Sequence, residues 1–235
     1  MKILDLSFST PAEDLACDEA LLDESEAFGT FQILRFWQPK EYFVVLGYSS
    51  EWKKEVSDGV RLPVLRRCSG GGTVLQGPGC LNYSLLLRIK PGGTNHDIHS
   101  TNAYVMGQNR KALEMLLNKE VRVQGHTDLT LGPLKFSGNS QRRRRKYLLF
   151  HGTFLLHFDL KKMDTALKMP EKQPAYRHNR PHSSFVTNLN IAPEKVKKAL
   201  AEAWHANGKL DGAPENRIEK LVKEKYSQED WNLKF

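Results

Sequence analysis

Three consecutive glycines, Gly70-Gly71-Gly72, follow after Cys68-Ser69 on an apolar, strand-like run that ends in Arg66-Arg67. Glycine leaves the backbone too free for the interior of a helix or strand, so three in a row mark a connection. They also strip side chains from a strand end, where bare backbone N–H groups can approach an anion closely. Arg66 and Arg67 add bidentate cationic donors suited to phosphate or carboxylate. No Gly-Lys-Ser/Thr follows, so this is not a Walker loop, and the spacing does not fit a dinucleotide fingerprint. Two readings stand: an anion-binding loop over Arg67, Gly70, Gly71, Gly72, Thr73 and Val74, or a glycine-rich hairpin turn.

Helix and strand signals are interspersed around this loop. Thr10-Pro11-Ala12-Glu13 reads as a capping box, opening a helix that runs to about Ala27 and stops at Gly29. Residues 31–37 and 42–46 are short apolar runs that predict a hairpin, residues 61–67 a third strand and 81–89 a fourth. A helix follows over 100–117, with Val105, Leu113, Leu116 and Leu117 on one stripe. Short strands are expected at 121–123, 129–131 and 135–136, and a long central one at 147–158. Residues 168–188, rich in Pro, Arg and His, read as an irregular loop. Pro193 starts an amphipathic helix carrying Val196, Ala199, Leu200, Ala203 and Trp204, and Gly208 ends it. A last helix is expected over 214–225. Without a regular βαβ alternation, repeat or long linker, the expectation is one α+β domain over residues 1–235, with a central mixed or antiparallel sheet flanked by helices.

Composition narrows the function. The chain has 235 residues, 40% hydrophobic and 26% charged, which suits a globular protein with a sizeable core. No apolar run approaches the roughly 18 residues of a membrane span, and the N-terminus shows no secretory h-region. Three cysteines, Cys17, Cys68 and Cys80, form no CxxC and argue against a disulfide scaffold or a zinc site. A cytoplasmic enzyme or binding protein is expected. The net charge is +8, but Arg142, Arg143, Arg144, Arg145 and Lys146 supply five positive charges; without them it is +3. The charge is therefore a local patch, either a solvated loop or a docking site for an acidic partner or RNA.

Other residues offer chemistry. Lys135, in Lys135-Phe136-Ser137-Gly138-Asn139, can set an ammonium beside the same anion or be a solvated surface charge. His151, in His151-Gly152-Thr153, is either catalytic or held in an apolar strand by a hydrogen bond. Cys80 and Cys68 are nucleophiles if a basic neighbour lowers their pKa, and buried fillers otherwise. His178 and His182 lack a third metal ligand.

Taken in order, RRCSGGGTV, PGCLNYS, KFSGN and HGT resemble the lipoate–protein ligase family. The ACDEALL helix and the LRFW and VVLG strands fall in family order too, so the resemblance covers nearly the whole chain. It implies the catalytic fold shared with biotin–protein ligases and octanoyltransferases. It implies ATP and Mg²⁺, with lipoate or octanoate joined to ATP as an acyl-adenylate and then passed to a lysine of a lipoyl-carrier domain. By the same resemblance Arg67 and the stretch Gly72-Thr73-Val74-Leu75 would bind the adenylate. Lys135 would contact the acyl carboxylate and phosphate, and Asn82 would lie near the ATP phosphates or metal. Arg142–Arg145 would dock the acidic carrier, a dehydrogenase subunit or the glycine-cleavage carrier; no nucleic-acid or membrane partner is expected. The SGGG loop departs from the GRGR-type loop of biotin ligases. Residues 125–132 lack the cysteine of ligase-like octanoyltransferases, and no cysteine follows Cys80, which favours the ATP-dependent ligase. A cysteine transferase using Cys80 and an RNA-binding module remain as alternatives. Some ligases carry a further C-terminal domain, so a separate accessory subunit is a possible partner.

Overall fold

The fold is that of a computed structural model, which describes residues 1–29 and 31–235. The strands are β1 (Lys2–Asp5), β2 (Ile33–Trp37), β3 (Phe43–Leu46), β4 (Val64–Arg66), β5 (Val74–Gln76), β6 (Cys80–Arg88), β7 (Arg122–Gln124), β8 (Asp128–Leu131), β9 (Leu134–Arg143), β10 (Tyr147–Leu155) and β11 (Gly208–Lys209). The helices are α1 (Pro11–Phe28), α2 (Trp52–Glu55), α3 (Ile98–Leu117), α4 (Lys161–Ala166), α5 (His182–Phe185), α6 (Pro193–Ala203), α7 (Glu215–Leu221) and α8 (Glu229–Asn232). Among the described residues the strands form an eight-stranded sheet, ordered β11-β1-β2-β6-β10-β9-β8-β7, and a three-stranded sheet, β4-β3-β5. The large sheet is mixed: β11, β1 and β2 run parallel, and every pairing from β2–β6 onward is antiparallel. This is an α+β fold.

Helix α1 begins as its sequence dictates. Thr10 accepts from the Glu13 N–H and the Glu13 carboxylate accepts from the Thr10 N–H, while Gly29 closes the helix at φ 67°. Alternation then loads both faces of the large sheet. Leu34, Phe36, Tyr83, Leu85, Phe150 and Phe154 pack toward α3 and α6, stacking on Val105, Met106, Val196 and Leu200. Ile33, Trp37, Leu86 and Leu149 pack toward α1. A third core, with Val44, Leu46, Leu75, Leu155 and Met163, lies under the small sheet.

The expected hairpin of residues 31–37 and 42–46 does not form. Strand β2 has β1 on one edge and β6 on the other, so no edge is left for β3, which centres the small sheet instead. The missed strand β1 is the cause: its four residues show too little alternation to signal a strand. Gly208 does not end α6 either, which closes at Ala203; the glycine opens β11. No helix among the described residues is long and apolar enough to cross a membrane.

Candidate functional site

Every second residue of β2, β6, β10 and β9 points toward α1, and there the strands place polar groups among the apolar ones. Register sets Arg35 against Ser84, Ser84 against His151 and His151 against Ser140. Two residues along, Trp37 faces Asn82, Asn82 faces Thr153 and Thr153 faces Gly138. These rows floor a cavity of about 320 Å³. Its walls come from the glycine loop, from the β8–β9 hairpin and from a strap, residues 167–186, that carries a 3-10 turn (Ala175–Arg177) and α5. Leu15, Trp37, Val45, Leu75, Phe136, Leu155, Met163 and Phe185 make much of the lining apolar.

The first row is anchored beneath the surface. The Arg35 guanidinium donates to Asp18 Oδ1 at 2.7 Å and Asp14 Oδ1 at 2.6 Å, and Ser84 Oγ donates to Asp18 Oδ2 at 2.7 Å. Burial of Asp14 outweighs the pull of Arg35 and raises its pKa to about 6. In the second row, Gln76 Nε2 donates to Asn82 Oδ1 at 3.0 Å and to Thr153 Oγ1 at 2.6 Å, and Asn82 Nδ2 returns a bond to Gln76 Oε1 at 3.1 Å. Both ends of the Asn82 amide are thus engaged with neighbouring side chains.

The glycine loop joins β4 to β5. Arg67 crosses beneath it, donating to the Gly70 carbonyl at 2.6 Å, the Gly72 carbonyl at 2.9 Å and Ser69 Oγ at 3.1 Å. Burial lowers its pKa to about 10, which still leaves the guanidinium charged at neutral pH. In this conformation the donors of Arg67 are spent on loop shape. Arg66 does the same for a neighbouring turn, donating to the Gly47 and Ser50 carbonyls at 2.7 and 2.8 Å. Gly71 sits at φ 87°, and a Cβ at Gly47 would overlap its carbonyl oxygen, so this crossing requires glycine at both positions. With the Gly70 and Gly72 carbonyls turned to Arg67, the N–H groups of Gly70, Gly71 and Gly72 have no acceptor among the described residues. Thr73 donates its N–H to Glu55 Oε2 at 3.1 Å, and its buried hydroxyl has no partner among the described residues.

Ser69 and Ser140 tie the loop to the sheet. Ser140 Oγ donates to the Gly70 carbonyl at 2.8 Å. Ser69 Oγ lies 2.5 Å from His151 Nε2. Burial holds the His151 pKa down at about 4, so the ring is neutral at pH 7, and it shares this hydrogen bond with Ser69 Oγ, which also accepts from Arg67 Nε. His151 is therefore the hydrogen-bonded strand histidine of the two sequence readings, although it also lines the cavity.

Lys135 reaches the cavity through a β-bulge. Leu129 pairs with Ser137 but Thr130 pairs with Lys135, which leaves Phe136 as the extra residue and turns Lys135 to the side of Asp128 and Gly138. Lys135 Nζ sits 2.8 Å from Asp128 Oδ1, and Tyr176 of the strap donates to Asp128 Oδ2 at 2.7 Å. Asn139, next to this group, points to the opposite face and bonds Tyr83 and the Thr127 carbonyl at 2.6 Å each.

Of the residues singled out in the sequence, Arg67, Gly71, Gly72, Thr73, Val74, Leu75, Asn82 and Lys135 line this one cavity. Gly70 lies behind the wall. Cys80 and Cys68 do not line it: both are buried in cores, and burial pushes both thiols up to about 12. Of the two sequence readings of these cysteines, their placement fits the buried fillers. The basic run is a loop only in part: β9 extends through Arg143, and residues 144–146 connect it to β10. Arg143 donates to the carbonyls of Asn95 and His96 at 3.1 and 2.9 Å, Arg144 pairs with Asp23 at 2.8 Å, and Arg142 packs over the Tyr48 ring. Arg145 and Lys146 are the exposed members. Among the described residues no three His, Cys, Asp or Glu side chains cluster as metal ligands. Asp128, Glu55, Gln76 and Tyr176 were missed, because each joins the site only once strand register, helix α2 or the strap brings it there.

The model of the lipoyl protein ligase A/B catalytic domain matches residues 10–205. A relative from Aeropyrum pernix, provisionally named lipoate-protein ligase A, is 31% identical over 96% of this chain and 89% of its own. A crystal structure of a lipoate-protein ligase A bound with ATP superposes with a TM-score of 0.85 at 26% identity, covering 99% of this chain and 98% of that one. The bipartite lipoate protein ligase of Thermoplasma acidophilum, studied with its E2 lipoyl domain, has a TM-score of 0.83 at 25% identity, covering 99% and 95%.

Proposed function

The chain belongs to the family of lipoyl protein ligase A/B catalytic domains and is an enzyme of the lipoate–protein ligase kind, and we propose that it activates lipoate or octanoate with ATP and passes the acyl group to a lysine of a lipoyl-carrier domain. The observation that carries this reading is that Lys135 lines one cavity with apolar walls together with Gly71 and Gly72, whose N–H groups have no acceptor among the described residues. An aliphatic acid fits the apolar part, its carboxylate toward Lys135. Phosphate oxygens fit the loop N–H groups and the unpartnered Thr73 hydroxyl.

In the first step an acyl carboxylate oxygen attacks the α-phosphorus of ATP, and pyrophosphate leaves. In the second the carrier lysine amine attacks the acyl carbon, an amide forms, AMP leaves and the amine proton passes to solvent. The protein supplies no covalent group. Lys135 offsets charge on the carboxylate and the α-phosphate and again on the departing AMP, and the loop holds the phosphates in line. Arg67 acts by keeping the loop carbonyls turned away, which leaves the N–H groups facing the ligand.

Mg²⁺ has no cage here. Asp18 is paired with Arg35, Asp128 with Lys135, and Glu55 accepts from Thr73. A Mg²⁺ in this site would arrive on the ATP phosphates, as is usual for that ion, and no step is assigned to it. The carrier is proposed to dock at the cavity mouth, with Arg145 and Lys146 meeting its acidic surface. A separate accessory subunit is also proposed, on the likeness to the bipartite archaeal enzyme. The cysteine-transferase reading gains no support from thiols buried away from the cavity.

Lipoate-dependent exchange of labelled pyrophosphate into ATP tests the first step without any carrier. Exchange that requires lipoate supports the reading, and its absence at saturating lipoate and ATP refutes self-sufficient adenylation.

A further inference from the structure

Lys135 does not stand alone on the cavity wall. Its ammonium forms an ion pair with Asp128, Nζ lying 2.8 Å from Oδ1. The other Asp128 oxygen takes the Tyr176 hydroxyl at 2.7 Å. A Cβ at Gly138 would lie 2.9 Å from Lys135 Nζ and 3.8 Å from Asp128 Oδ1, so the missing side chain is what makes room for this pair. Tyr176 belongs to the strap and is itself fixed there. Its ring packs on Phe185 with centroids 5.2 Å apart, and Arg180 donates to the Tyr176 carbonyl at 2.9 Å and to the Pro133 carbonyl in the β8–β9 turn at 3.0 Å. One carboxylate thus bridges the cavity lysine and the segment that covers it.

We propose that Asp128 is a positioning residue that holds the Lys135 ammonium toward the substrate anion, and that Tyr176 fixes Asp128, so that strap order and lysine placement form one device. The ion pair fixes where the ammonium sits, and its N–H donors are offered to the acyl carboxylate and the α-phosphate. The bridge removes rotational freedom from a long, flexible side chain before substrate arrives. Because the Tyr176 hydroxyl touches Asp128 and not Lys135, its influence on the lysine passes through Asp128. The proposal rests on the assignment of Lys135 to the substrate anion, but its structural half does not.

The test compares Tyr176→Phe, Asp128→Asn and the double variant, each checked for a native melting temperature. In the exchange assay Tyr176→Phe is expected to lower kcat about 5-fold and Asp128→Asn about 50-fold, with KM for lipoate changing less than about 2-fold. The double variant is expected to match Asp128→Asn, because a residue acting through another adds nothing once that other is gone. Independently, hydrogen exchange of the strap amides is expected to quicken in Tyr176→Phe and in Asp128→Asn, and no further in the double variant. Multiplicative losses in the double variant, or losses confined to KM, overturn the positioning role. Strap exchange unchanged in both single variants overturns the latch. If the native protein shows no lipoate-dependent exchange, the adenylation reading fails while the hydrogen-exchange arm still decides the latch.

Discussion

Ser69 Oγ and His151 Nε2 lie 2.5 Å apart, and this contact fastens the glycine loop to the central strand of the sheet. Burial of the ring holds the His151 pKa down at about 4. An unfolded chain titrates its histidine near 6.5. Below that pH the unfolded state takes the proton and the folded state does not, so this contribution to stability is intact above pH 6.5 and is lost as the pH falls toward 4. His151→Gln keeps an acceptor but does not titrate. The urea midpoint of the native protein is expected to drop more between pH 7 and pH 4.5 than that of the variant; equal drops would contradict the assignment.

Two glycines separate fold from site. A methyl group at Gly152 would strike Asn139 and the Tyr83 ring, both held in hydrogen bonds. Gly152→Ala is expected to cost about 1–3 kcal/mol of stability, as overpacking does, read from denaturant unfolding. A methyl group at Gly138 would press on the end of the Lys135 side chain, 2.9 Å from Nζ, with Asp128 Oδ1 at an ordinary 3.8 Å. Gly138→Ala is expected to keep its melting temperature within about 2 °C, while adenylation slows about 10-fold through the displaced ammonium.

Much of this was legible in the residues. The capping box of Thr10 and Glu13 and the stop at Gly29 marked α1 closely, and the apolar stripes marked α3 and α6. The glycine loop and Lys135 were visible as candidate chemistry because unusual residues stand out locally. What stayed hidden depends on pairing. Strand β1 is too short to declare itself, and without it β2 and β3 read as a hairpin. The row Arg35, Ser84, His151, Ser140 comes from four separate strands and exists only once register is set. Asp128 reaches Lys135 because of a bulge that no pattern announces. The arginines were assigned by charge, whereas the bonds of Arg66, Arg67 and Arg143 go mostly to backbone carbonyls.

Cys80 sits in the core under the small sheet, with its thiol pushed up to about 12. Cys80→Ala is expected to retain carrier modification within about 2-fold and to lose about 1 kcal/mol of stability, as a small buried side chain does. Loss of activity with an unchanged melting temperature would revive the thioester mechanism.

Within the basic run, exposure assigns different tasks. Exposed Arg145 and Lys146 changed together to Glu are expected to raise KM for the carrier several-fold while leaving pyrophosphate exchange untouched. Arg143→Ala removes bonds to Asn95, His96 and Thr101 and is expected to lower the melting temperature. Equal loss of exchange and carrier modification in the Arg145/Lys146 variant would contradict docking.

The central claim is ATP-dependent acyl transfer organised by Lys135. The most direct measurement is the intact mass of a purified lipoyl-carrier domain after incubation with this protein and lipoate, with and without ATP and Mg²⁺, beside Lys135→Ala. The account predicts one lipoyl mass gain on the carrier, only with ATP, and none with the variant. A gain without ATP from an acyl-carrier donor, or a full gain with Lys135→Ala, would contradict it.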